Sequence, residues 1–237
     1  MSARGRLAYS SYRWLWQSLD WLYPPRCGGC ANQGSRWCVN CQRDVSLIVP
    51  PVCQCCGKML THEGLCQACR TGRPNFEALR SWAVFNGPVK NALHRLKYKR
   101  DVALGEALSA PMIVRFNQLN WPVDLVAPVP LGVARQAQRG YNQAALLARP
   151  LALACELPFQ LRALAKTRET RSQVGLSHDQ RWQNVDSSFT ARERTVRGKS
   201  VLLVDDVATS GATLSACALA LRKAGARVVY ALTLARA

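Results

Sequence analysis

Asp205 and Asp206 stand side by side at the end of a short apolar run, Val201 to Val204, and the small and hydroxyl residues Ala208-Thr209-Ser210-Gly211-Ala212-Thr213 follow closely. The run is too short for a helix and apolar on both faces, which suits a buried parallel strand with the two acids at its carboxyl end. Leu214 to Ala224 then reads as a helix closed by Gly225. At such a strand, loop and helix N-terminus, backbone N–H groups point outward and the helix dipole adds positive potential, so the loop suits an anion. Gly211 permits close approach to a phosphate, and Thr209, Ser210 and Thr213 add hydroxyl donors. Two neighbouring carboxylates repel each other and the anion unless something occupies their lone pairs. The vicinal hydroxyls of a ribose would do so, with the loop holding its 5′-phosphate. A bound metal ion is the rival use, and a solvated acidic pair beside a capping loop is the plain alternative.

The second group able to do chemistry is cysteine. Cys27-x-x-Cys30 and Cys38-x-x-Cys41 are followed by Cys53-x-x-Cys56 and Cys66-x-x-Cys69. A thiolate pair separated by two residues wraps one tetrahedral ion, and two pairs complete the sulfur shell of a structural Zn²⁺ site. Up to two zinc ions are therefore expected. With four sulfurs each they would have no open position for catalysis, and their binding would supply the folding energy of a segment too small for a good core. A disulfide framework needs an oxidising compartment, and no secretory signal is evident; an iron–sulfur cluster uses the same thiolates. Interleaved pairing of the knuckles stays open, as does a ligand role for Cys55 or His62.

The remaining elements have to position these groups. Residues 1–24 include Trp14, Trp16 and Trp21 with Leu15, Leu19 and Leu22, interrupted by Arg13, Gln17 and Asp20. This reads as a short aromatic helix, shorter than the roughly 20 apolar residues that a bilayer requires. Residues 25–72 form the expected ribbon unit and 73–237 the larger domain. In the latter, Ala78 to Phe85 reads as a strand, a helix runs from Pro88 to the basic stretch Arg95-Leu96-Lys97-Tyr98-Lys99-Arg100, and Leu104 to Leu119 reads as another helix. An aromatic among cations suits a nucleic acid or a pyrophosphate, and a solvated helix end is the bland alternative. Val123 to Pro130 is a second buried strand, followed by a loop with Arg135, Arg139 and Gly140 and then a helix through Cys155 that Asn142 is placed to cap. Leu157 to Leu164 is a third strand candidate. Lys166 to Thr190, with Arg168 and Arg171, is long, polar and basic, as a mobile binding loop or a disordered segment would be. A last strand spans Arg227 to Leu234. Alternating strands and helices make a parallel α/β sheet with helices on both faces.

With 49% hydrophobic and 19% charged residues in 237, the chain has the composition of a globular protein. Its formal charge is +18, with 7 basic and 3 acidic residues up to position 69 and 25 and 11 beyond, so the excess lies mainly outside the cysteine-rich end. A polyanionic partner fits that balance.

The segment from Val201 to Thr213 resembles the phosphoribosyl pyrophosphate (PRPP) motif of type I phosphoribosyltransferases. That resemblance implies that Asp205 and Asp206 hold ribose hydroxyls, that Ala208 to Thr213 hold the 5′-phosphate, and that the loop after the second strand, with Arg135, Arg139 and Gly140, holds pyrophosphate; Lys97, Arg168 and Arg171 join it as candidates for pyrophosphate or DNA. Extended to the four knuckles, Leu96-Lys97-Tyr98, Pro128-Val129-Pro130, Arg139-Gly140-Tyr141-Asn142-Gln143, Arg168 to Gln173, and Arg181 to Asn184 with Phe189, the chain resembles the ComF family of competence and DNA-utilisation proteins. The family implies a cytoplasmic protein, a double zinc ribbon ahead of a phosphoribosyltransferase-like domain, and a part in handling imported DNA, with single-stranded DNA and an uptake-complex or helicase-like protein as partners. The other function it leaves open is that of a working transferase, moving phosphoribose from PRPP, with Mg²⁺, to a nucleobase or other acceptor. Catalysis in this fold rests largely on positioning, so the binding residues specify the ligand and leave turnover undetermined.

Overall fold

The computed structural model describes residues 9–12, 14, 16, 18, 20, 24–167 and 188–237. At its centre is β5 (Ser200–Ala208), whose first five residues are all buried. It pairs in parallel with β6 (Val228–Arg236) on one side and with β2 (Leu125–Pro128) on the other, and β1 (Ala78–Val84) pairs in parallel with β6. The order is β1-β6-β5-β2. Helices α3 (Gly87–Tyr98), α4 (Leu104–Leu119) and α6 (Gln143–Ala154) pack on one face, and α8 (Ala212–Lys223) packs on the other.

The alternation of β5 sorts its side chains between two cores. Val201 and Leu203 enter the core with α8, while Leu202 and Val204 enter the core with α3, α4 and α6. The same period sends Asp205 toward the first face and Asp206 toward the second. The strand continues to Ala208, four residues past the expected end, because β6 keeps pairing with it as far as Ala208 opposite Arg236. The acids therefore lie within the strand's last turn of pairing.

Two expectations fail locally. Leu157 to Leu164 does not form a sheet strand: Phe159 makes one parallel bridge to Val126, and the chain then turns. Pro158 has no N–H for a longer ladder, and Leu164–Lys166 (β3) instead pairs antiparallel with Phe189–Ala191 (β4) outside the main sheet. The segment after β2 is not simply a loop, for Val133–Arg139 forms a helix, α5, with no buried residue. Its Ala, Gln and Arg residues carry no apolar stripe to announce a helix. Glu193–Val196 is a short α7 leading into β5.

The cysteine-rich part contains α1 (Val39–Arg43) and α2 (Gln67–Thr71) and is built onto the sheet. Between the two ribbons the chain runs along edge strand β1, where Ile48 donates to the Trp82 carbonyl at 3.1 Å and Val84 donates to Ser46 at 2.8 Å. Leu79 donates to Cys55 at 2.7 Å, so the second ribbon covers more of the same edge. Gly57 lies in the closest part of this contact, with φ +70°, and a Cβ there would fall 2.4 Å from the Leu79 carbonyl oxygen. Gly57→Ala combines a left-handed backbone with a backbone clash. It is expected to cost about 2 kcal/mol or more, read as a lower urea midpoint at unchanged slope. At the other end of the ribbon unit, the described residues between 9 and 20 are helical, and Arg36 ties them down by an ion pair with Asp20 and a 3.3 Å bond to the Trp16 carbonyl.

Candidate functional site

The carboxyl ends of β5 and β2 open into a cleft of about 450 Å³ lined by both acids, the place where an open parallel sheet takes its ligands. Asp206 is 4% exposed and its carboxylate forms an ion pair with Lys97 of α3. Lys97 thus serves as the counter-ion that makes a buried acid tolerable. The backbone N–H of Asp206 donates to Asp205 Oδ1 at 2.9 Å. Burial and the adjacent Asp206 carboxylate push the Asp205 carboxyl well above the usual carboxylate range, and Lys97 opposes that shift only in part. The pair is an acceptor-rich spot held at some electrostatic cost, as a site for hydroxyl donors would be.

Thr213 lines the cleft, at the start of α8. The turn before it is made by Gly211 at φ +82°, a left-handed conformation that a side chain would strain. Ser210 Oγ accepts from the Ala212 N–H at 3.3 Å, Thr209 is exposed, and Ala208 and Ala212 are buried on either side of the turn. The loop has the open, donor-bearing form that an anion needs, although among its residues only Thr213 reaches the cleft wall.

The opposite wall carries the cations. Arg135 and Arg139 of α5 both line the cleft, and Gly140, at φ +81°, ends that helix. Asn142 fixes this wall from behind. Its Oδ1 accepts from the Ala144 N–H at 2.9 Å, capping α6, and its Nδ2 donates to the Val129 carbonyl at 2.9 Å, joining the end of β2 to that cap. The Tyr141 hydroxyl donates to the Leu96 carbonyl, which holds the last turn of α3 and with it Lys97. Lys166 and Phe189, at the ends of β3 and β4, also line the cleft. Neither is a site candidate in the sequence, since the antiparallel pairing that carries them there has only three residues on each side. Arg168 and Arg171 lie outside the described residues, as does the short helix expected around His178.

The cysteines form two groups. Cys27, Cys30, Cys38 and Cys41 gather in one, and Cys53, Cys56, Cys66 and Cys69 in the other, with the sulfurs of each group within 4.8 Å of one another. The pairing is sequential, and Cys55 and His62 stand outside both sets. Backbone N–H groups point at the sulfurs, from Cys38 to Cys27 Sγ at 3.4 Å and from Cys66 to Cys53 Sγ at 3.3 Å. Burial acts to raise the Cys27 thiol, yet the N–H groups of Cys30, Cys38 and Gly29 outweigh it and bring it to about 6. Cys53 is likewise brought to about 6 against its burial by Cys66, Cys56 and Cys55. Four sulfurs gathered within reach of one ion suit structural Zn²⁺ and leave it no open position.

Residues 18–70 match the double zinc ribbon domain family and residues 131–237 the phosphoribosyl transferase domain family. The DNA utilization protein YhgH of Escherichia coli strain K12 is 32% identical over 192 residues, covering 78% of this chain and 84% of that protein. The chain belongs to the ComF family. Competence protein F of Haemophilus influenzae is another ComF relative, 30% identical over 84% of this chain and 90% of its own length. Among solved structures, glutamine PRPP amidotransferase from B. subtilis is 25% identical with a TM-score of 0.40, over 55% of this chain and 26% of that one. The ComF arrangement is thus a double zinc ribbon joined to a phosphoribosyltransferase-like parallel sheet. No helix among the described residues is long and apolar enough to cross a membrane.

Proposed function

We propose that this protein is a DNA-utilisation factor whose cleft binds PRPP, accompanied by Mg²⁺, or the ribose-phosphate part of a nucleotide, and whose basic body binds single-stranded DNA. The observation that carries the first half is the cleft itself: Asp205 and Asp206 on one side, Thr213 and the Gly211 turn at the helix start, and Arg135 and Arg139 opposite. A ribose would sit with its hydroxyls on the acids and its 5′-phosphate toward Ser210 to Thr213. The pyrophosphate, with the Mg²⁺ that accompanies it, would face the two arginines, whose planar donors suit phosphate oxygens. The second half is supported by the net charge of +18 and by the names of the relatives, a DNA utilization protein and a competence protein. The same residues are what a phosphoribosyl transfer would need for positioning, and no general acid or base is assigned.

Thermal stabilisation by PRPP with Mg²⁺ tests the cleft. At a hundredfold excess over Kd, binding contributes about 2.7 kcal/mol, or roughly 5–11 °C for a domain of this size. Asp205→Asn combined with Asp206→Asn keeps the shape, removes both charges and turns one acceptor oxygen of each acid into an NH₂ donor, and is expected to abolish that rise. An unmutated protein whose melting ignores PRPP would end the assignment.

A further inference from the structure

Paired acids suited to two vicinal hydroxyls favour ribose, and a deoxyribose in that place would leave acceptor positions unfilled. The DNA of the proposed function therefore needs a surface outside the inner cleft. Exposed tryptophan, tyrosine or phenylalanine rings are scarce: among the described residues they are Trp14 and Tyr98. Tyr98 is 64% exposed and stands at the cleft mouth, at the end of α3 and next after Lys97. The Arg139 guanidinium carbon lies 5.5 Å from its ring centre, and the exposed His94 ring lies 4.8 Å away at 45°. Exposed Lys99 and Arg100 follow it, and Arg135 lies on the neighbouring α5. A ring this open contributes little to packing, and α5 buries nothing in the core. Both are shaped for something outside the chain. Rings and guanidinium planes beside spaced cations are the ordinary means of holding unpaired bases and their phosphates.

We propose that Tyr98 and Arg139 form a base-stacking platform for single-stranded DNA at the mouth of the PRPP cleft, with Lys99, Arg100 and Arg135 taking the flanking phosphates. This rests on the reading of the protein as a single-stranded DNA binder and says where the strand lies. A base on Tyr98 sits at the rim of the ribose-phosphate site, so the strand passes over the cleft and does not enter it. The competing surface is at the opposite end of the sheet, where Arg192, Arg194, Lys199 and Lys223 are exposed and have no carboxylate partner among the described residues. Among the described residues it carries no exposed aromatic ring, so it offers phosphate contacts without base contacts.

Fluorescence anisotropy with a labelled twelve-nucleotide oligo(dT) tests the platform on the full chain. Tyr98→Ala is expected to weaken binding about tenfold, from the 1–3 kcal/mol that one stacked base contributes, while Tyr98→Phe keeps it. Because no charge is removed, the slope of log affinity against log salt stays the same in Tyr98→Ala. Lys99→Ala lowers both affinity and slope, the latter by about 0.7 because one phosphate is no longer neutralised. Duplex DNA of equal length is expected to be insensitive to Tyr98→Ala, and Arg194→Ala with Lys223→Ala to leave oligo(dT) binding unchanged. Melting without ligand checks that the exposed site tolerates alanine. The platform is overturned if Tyr98→Ala binds oligo(dT) like the unmutated protein, if it weakens duplex equally, or if the opposite-end pair alone abolishes binding. Tighter, Tyr98-dependent binding of oligo(U) would overturn the choice of DNA. A protein that binds oligo(dT) through Tyr98 but is not stabilised by PRPP would refute the cleft assignment alone, and one that does neither would refute both.

Discussion

Serine in place of Cys53 is expected to leave no cooperative melting transition, whereas serine in place of Cys30 leaves the sheet melting nearly as before. The difference follows from where the two zinc groups sit. Cys53, Cys56, Cys66 and Cys69 are all buried, in the same core as Phe76, Leu79 and the inner face of α8. That ribbon also completes the sheet's hydrogen bonding. Arg236 donates to the Cys56 carbonyl at 2.6 Å, Leu79 to Cys55 at 2.7 Å, and both Arg80 Nη atoms to Gln54 at 3.0 Å. Losing its metal would release four buried sulfurs into an apolar core and uncover the edge of β1. Structural zinc contributes on the order of 10 kcal/mol to small metal-dependent folds, comparable with the whole stability of a typical domain. The first group is peripheral by comparison, with Cys30 exposed and with polar ties to α3 through Asn91 to Gly29 at 3.0 Å and Arg95 to Cys27 at 3.4 Å. Circular dichroism melts read beside zinc content check this. A Cys53→Ser protein that melts like the unmutated one would show the second ribbon to be an appendage.

Several parts of this architecture were legible in the residues. The spacing of the knuckles announced two tetracysteine groups, because two intervening residues are what one tetrahedral ion requires. The apolar run into Asp205 and Asp206, with Gly211 after it, announced a central strand, a tight turn and a helix start, since each of those needs a distinctive residue type at a fixed offset. What stayed hidden depends on contacts between distant segments. That Lys97 neutralises Asp206 follows from the way α3 packs on β5, and nothing local to either residue states it. The two acids diverge to opposite faces because β5 is longer than its apolar core, and its length is set by its neighbour β6. Helix α5 was concealed for a different reason: it buries nothing, so it has no apolar period, and the glycines at its two ends resemble loop punctuation. The cover over β1 was hidden too, because Ser46 to Ile48 pair through their backbone, which any side chain permits.

The ion pair at the centre of the cleft leads to the second large effect. Lys97→Ala is expected to lower stability by about 3 kcal/mol, the lower end of the range for breaking a buried pair, since the Lys97 side chain keeps 22% exposure against 5% for Asp206. At roughly 2–4 °C per kcal/mol this is a drop of about 6–12 °C. Adding Asp206→Asn should restore much of it, because the uncompensated charge is then gone; thermal melts of the two single variants and the double give the coupling directly. A double variant no more stable than Lys97→Ala would mean that the lysine acts through packing of its stem. The pH dependence identifies the acid on the other face. Asp205 has its folded pKa raised, so it binds its proton more tightly folded than unfolded. Its contribution is fully present below the unfolded value near 3.8 and is lost as pH rises through the higher folded value. That contribution is progressively lost as pH rises above the unfolded value, and Asp205→Asn, which cannot ionise, should melt higher than the unmutated protein at neutral pH while losing PRPP stabilisation. The gain should disappear as the pH falls toward 4. A carboxylate whose removal steadies the fold and empties the cleft is one retained for its ligand.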